Sequence, residues 1–102
     1  MKLVISQEAM RYLERERAYL AQFSRRATIA FSDQIKRASR LIADHPHVGT
    51  VVAPVEGIRR FVSAPYHLDY VIRPNYVLIV SIMHARQGPA DLEKDEDLPS
   101  GE

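Results

Sequence analysis

The hydrophobic period of this chain changes from helical to two-residue across "ADHPHVG" (residues 43–49), which separates a helical stretch from the strands that follow it. Upstream, Ala27, Phe31, Ile35, Ala38 and then Leu41 or Ile42 recur at helical spacing, and Ser24 stands where a helix N-cap belongs. A second amphipathic stretch precedes it, "SQEAMRYLERERAYLAQF". Ser6 is its expected cap, and Ala9, Leu13, Leu20 and Phe23 form an apolar stripe that Glu16 interrupts, with Tyr12 and Tyr19 beside it. Glu8 with Arg11 and Glu14 with Arg17 sit three apart and support the exposed side, so the alternating charges of "LERERA" read as a solvated face. Pro46 forbids the second helix from continuing, and Gly49 permits a turn. Neither amphipathic helix is stable alone in water, so the pair should form an α-hairpin laid on a sheet.

The sheet comes from the flanks. "MKLVIS" reads as a first strand. After Gly49, "TVVAPV" is an irregular extended segment, because Pro54 keeps it from being a central strand. "GIRRFVSA" sets Ile58, Arg60 and Val62 against Arg59, Phe61 and Ser63, and "YHLDYVI" sets Tyr66, Leu68, Tyr70 and Ile72 against His67, Asp69 and Val71. "RPNY" is a turn by composition. "YVLIVSIMHA" is apolar on both parities, the pattern of a strand covered on both sides. The expected fold is α+β, in the order β-α-α-β-β-β. A three-strand antiparallel meander lies under the hairpin, and the first strand joins its sheet.

With 102 residues there is material for one modest core. The 46% apolar and 26% charged fractions suit an ordinary globular chain. Cysteine is absent, which excludes a disulfide scaffold and a thiolate site and fits a reducing cytoplasm. Neither a signal-peptide pattern nor an apolar run of about 20 residues is present, so a cytoplasmic protein without membrane contact is expected.

The net charge of +1 conceals two unlike parts. Residues 1–90, the expected single domain, hold 13 Lys+Arg against 7 Asp+Glu, whereas "DLEKDEDLPSGE" (residues 91–102) holds 1 against 6. That acidic tail is expected to be solvated and disordered. The other reading is that it folds back at close range over a basic face.

The polar residues of the strands are the candidate site. Arg59 or Arg60, His67 with Asp69, and Arg73 fall to the sheet face away from the helices, and His67 and Asp69, two apart, share a face and can pair. His84 leaves the last strand beside Arg86, whose charge would lower a pKa that starts near neutrality. In a meander the arginines at 59 and 60 and the His84–Arg86 pair fall at opposite ends unless the register is offset. His45 and His47 flank Pro46 without a further ligand at metal spacing. No phosphate loop, nucleophile elbow or zinc-protease motif occurs, and no metal or other cofactor is expected.

The order of these pieces resembles the RelE/ParE superfamily of toxins from type II toxin–antitoxin modules, proteins tied to plasmid stabilization. "EAMRYLERERAYL" and "RRATIAFSDQIKRASRLIADHPHVG" are similar to its helical hairpin with a Pro-x-x-Gly exit. "GIRRFVSAPYHLDYVI" resembles its G-[VI]-R stretch followed by Y-x-[LI]-x-Y, and "VLIVSIMHARQGP" its closing strand with an H-x-R ending.

The resemblance implies a toxin neutralised by the C-terminal segment of a cognate antitoxin, through which it associates indirectly with DNA. It also implies one of two activities. A ParE-like member blocks DNA gyrase by binding, and Arg59, Arg60, Tyr66, Tyr70, His84 and Arg86 would then contact target or antitoxin. A RelE-like member cleaves mRNA on the ribosome, with His84 as acid/base, Arg59, Arg60 and Arg86 on the phosphate, and His67 and Asp69 in support. Two lysines before the tail, a modest body charge and no aromatic after His84 to stack a base favour the ParE-like branch.

Overall fold

Two serines start the helices. Ser6 Oγ accepts from the Ala9 N–H at 3.0 Å and Ser24 Oγ from that of Ala27 at 3.1 Å, so α1 (Gln7–Ala21) and α2 (Arg25–Asp44) each begin with a capped donor. The computed structural model describes residues 1–85; Arg86 and the acidic tail lie outside them. The His45 N–H donates to the Leu41 carbonyl at 2.8 Å, and Pro46 stops the helix there. On α2 the expected stripe is buried as Phe31, Ile35, Ala38 and Ile42, while Leu41 turns outward. The α1 stripe is shorter than expected. Ala9 and Leu13 are buried, but the helix ends at Ala21, and Phe23 sits 70% exposed in the connection.

Five strands form one sheet, β1 (Lys2–Ile5), β2 (Thr50–Ala53), β3 (Ile58–Ser63), β4 (Tyr66–Ile72) and β5 (Tyr76–His84), in the spatial order β1-β5-β4-β3-β2. β1 runs parallel to β5, and the other pairs are antiparallel. The segment expected to be irregular is thus a short edge strand, β2. Pro54 falls just beyond its last residue and never has to supply a ladder donor. Gly57, at φ +74°, closes the β2–β3 turn with a bond to the Pro54 carbonyl. The Ala64–Pro65 peptide between β3 and β4 is cis.

The core lies between the helices and one sheet face. Leu68, Tyr70, Val77, Ile79 and Ile42 are wholly buried there, each aliphatic side chain contributing on the order of 1.5–3 kcal/mol. β5 is not covered on both sides, as its composition suggested. Asp69 faces Ser81 and Tyr70 faces Ile79, so Val80 is an extra residue, a bulge that moves the core-facing parity from Val77 and Ile79 to Ile82. Apolar residues appear on both parities because the parity itself changes. Ser6 accommodates the bulge: its hydroxyl donates to the Val80 carbonyl at 2.8 Å and its backbone N–H to that of Ile79 at 2.9 Å. One serine therefore joins the end of β1, the cap of α1 and the irregular point of β5.

Candidate functional site

Four of the residues that the sequence offers as a motif form a single latch. The Tyr70 hydroxyl donates to the Pro46 carbonyl at 2.6 Å and accepts from the Gly49 N–H at 2.8 Å. Arg59 donates to the Gly49 carbonyl at 2.8 Å and to that of His47 at 3.3 Å. Gly49 is required for close approach. A Cβ there would lie 2.8 Å from the Tyr70 hydroxyl and 2.9 Å from the Arg60 carbonyl, distances at which something must move. The Pro-x-x-Gly exit of α2 is held by the arginine of G-I-R and the second tyrosine of Y-x-L-x-Y. Tyr70 is wholly buried, and Arg59 points to this loop on the helix side of the sheet; of the two arginines offered as alternatives for the open face, Arg60 is the one that lies there.

The first tyrosine of that motif is a pin at the other end. Tyr66 donates to Glu16 Oε2 at 2.6 Å and packs its ring 4.9 Å from Phe31 and 6.5 Å from Tyr12. Glu16, which interrupted the α1 stripe, is thereby the acceptor for a buried phenol. Burial raises the Tyr66 phenol above its ordinary pKa, and the hydrogen bond and charge of Glu16 add to it. Burial, then the Glu16 charge, push Tyr12 up to about 12. His84 lies across from Tyr66 in the ladder, its ring edge-on at 5.4 Å, and so faces the helices.

The open face carries the remaining candidates. Arg60 and Asp69 are directly opposed and form a two-point bond, Nε to Oδ1 at 2.8 Å and Nη2 to Oδ2 at 3.0 Å. The Asp69 hydrogen bond raises the Arg60 pKa further. Asp69 is therefore engaged by Arg60 and not by His67, the partner expected two residues away. His67 faces Val62 and Met83. Arg73 is exposed at the β4–β5 turn, where its N–H donates to the Tyr76 carbonyl. The candidates do not converge. Arg60, His67 and Asp69 are on one face, Arg59, Tyr66, Tyr70 and His84 on the other, and His84 stands about 10 Å along the strand from the Arg60–Asp69 pair.

An apolar concavity lies elsewhere. A groove of about 450 Å³ opens between α1, α2 and the edge strand β1. Leu3, Ile5, Leu13, Phe31 and Ile35 make its floor, and Arg17, Lys36 and Arg40 stand among its lining residues without a carboxylate. None of the candidates named from the sequence lines it. A signal for it was present. Ser32, Lys36, Ser39, Arg40 and Ala43 recur at helical spacing one position after the buried stripe of α2, a second flank of small and basic residues.

Residues 3–89 match the family model described as the ParE toxin of the type II toxin–antitoxin system parDE. The chain belongs to the ParE toxin family. A solved structure described as the chromosomal ParDE TA system from P. aeruginosa shares the fold with a TM-score of 0.68, covering 82% of this chain and 95% of that one at 15% identity. No curated protein matches the sequence. The ParE fold expected from the sequence is thus the observed one, with β2 as an additional edge strand. Among the described residues, no helix is long and apolar enough to cross a membrane.

Proposed function

We propose that this ParE-family toxin acts on DNA gyrase by binding, as a cytoplasmic protein, and is neutralised by a ParD-type antitoxin whose acidic amphipathic segment lies in the groove between α1, α2 and β1. The family match across residues 3–89 carries this reading. The groove supports its second half. An apolar floor rimmed by Arg17, Lys36 and Arg40 suits a partner that is apolar on one side and acidic on the other. Burial of the floor supplies affinity, and the cations supply encounter rate and orientation. A segment disordered when free would order on seating.

The arrangement of the polar candidates favours binding over catalysis. General acid/base cleavage of RNA needs a titrating group and phosphate ligands within hydrogen-bond reach of one reacting centre. Here His84 and His67 face opposite sides of the sheet, Asp69 is bonded to Arg60, and Arg59 is bonded to loop carbonyls. The deciding experiment adds the purified protein to a gyrase supercoiling reaction and, separately, to a programmed ribosome. Supercoiling should stop and mRNA should stay intact. Cleaved mRNA with unaffected gyrase would overturn the proposal in favour of the RelE-like activity.

A further inference from the structure

Two charged features of this molecule are of opposite sign, the rim of the groove and the strip 91–102. Arg60 is bonded to Asp69, and Arg59 to two carbonyls. Arg17, Lys36 and Arg40 instead border an apolar groove that no carboxylate lines. Ser39, also in its wall, has a hydroxyl shielded from solvent and without a hydrogen-bond partner among the described residues. Residues 91–102 hold six carboxylates and one lysine, with Leu92 and Leu98 among them.

Reach permits them to meet. The Ala85 N–H is bonded to the Pro65 carbonyl at 2.7 Å, and His84 packs on Tyr66, whose ring is 4.9 Å from Phe31 in the groove floor. From Ala85 to Asp91 the chain spans up to about 20 Å, and the α2 wall from Phe31 to Ala43 is about 18 Å long.

We propose that the acidic strip 91–102 seats in this groove, its carboxylates on Arg17, Lys36 and Arg40, so that the toxin carries its own competitor for the antitoxin's place. The contact follows from charge, apolar floor and reach; the competition rests in addition on the groove being the antitoxin's seat. An intramolecular strip acts at an effective concentration in the millimolar range, enough for weak, screened contacts to be populated. An antitoxin segment must then displace it, and its apparent affinity falls by the fraction of open groove.

The absence of cysteine makes the test direct, because Ser100→Cys introduces a unique site for a nitroxide label on the full chain. Amide signals of Ser32, Lys36, Ser39 and Arg40 should broaden selectively and independently of protein concentration. The broadening should disappear in Lys36→Glu/Arg40→Glu, and in a tail carrying Asp91→Asn, Glu93→Gln, Asp95→Asn, Glu96→Gln and Asp97→Asn. That neutralised tail should also raise affinity for a synthetic helical peptide, Leu on one face and Glu on the other, by roughly three- to tenfold at low salt, with the gap closing as salt rises.

Broadening spread evenly over the surface, centred on another basic patch, or lost on dilution as for a second copy in the groove, overturns the proposal. So does equal peptide affinity with either tail. Selective broadening in the groove with no peptide bound by either protein would uphold the tail's contact and remove the antitoxin reading alone.

Discussion

Tyr70 and Gly49 show how much of this protein depends on one phenol. The Tyr70 hydroxyl satisfies the Pro46 carbonyl and the Gly49 N–H in a site closed to water. Tyr70→Phe keeps the ring and orphans both groups, so urea unfolding should show a loss of about 1–3 kcal/mol. Gly49→Ala places a methyl against the same hydroxyl and the Arg60 carbonyl and should cost a similar amount, about 1–3 kcal/mol, by overpacking. The double variant should lose less than the sum, because removing the hydroxyl relieves part of the clash. Strict additivity in the denaturation midpoints would show that the two residues do not share this contact. Neither change touches the groove, so binding of an acidic peptide should survive wherever the fold does.

Among the elements, the join between α1 and the sheet has a pH signature. The unfolded chain releases tyrosine protons near 10.0, whereas the fold holds the Tyr12 proton until about 12 and raises Tyr66 as well. The native state binds these protons more tightly, so the stabilisation is complete below pH 10 and declines as pH rises through about 12. Thermal unfolding followed by circular dichroism should show that decline, and Tyr66→Phe should make it shallower. An unchanged alkaline slope in Tyr66→Phe would contradict the role given to the Glu16 bond.

The same elements show what the sequence made legible. Both caps and the α2 stripe could be read because they are local, set by spacing within one helix. The bulge at Val80 could not, since a shift of parity inside an apolar run looks like a strand covered twice. Glu16 looked like an interruption because its acceptor role depends on Tyr66, fifty residues away. The groove was missed because the stripe beside the core stripe of α2 has ordinary surface composition until β1 is brought alongside it.

For the molecule as a whole, the groove and the motif-bearing latch use different residues, so neutralisation and stability should separate. Lys36 and Arg40 are exposed, and Lys36→Glu with Arg40→Glu should shift stability by only about 0.5 kcal/mol. Association with an acidic antitoxin segment should weaken roughly tenfold, chiefly through a slower on-rate. A supercoiling assay with and without antitoxin reads both properties together, and this variant should still arrest gyrase while resisting rescue. Loss of both properties, or of neither, would show that the rim is not where the antitoxin binds.

The lock of Pro46, Gly49, Arg59 and Tyr70 has a final consequence. The letters by which this scaffold is recognised are spent on fastening a helix exit to a sheet. The groove-lining flank of α2 and the exposed Val51 and Val52 of β2 take no part in that fastening. Mutation can therefore reshape those surfaces without disturbing the fastenings.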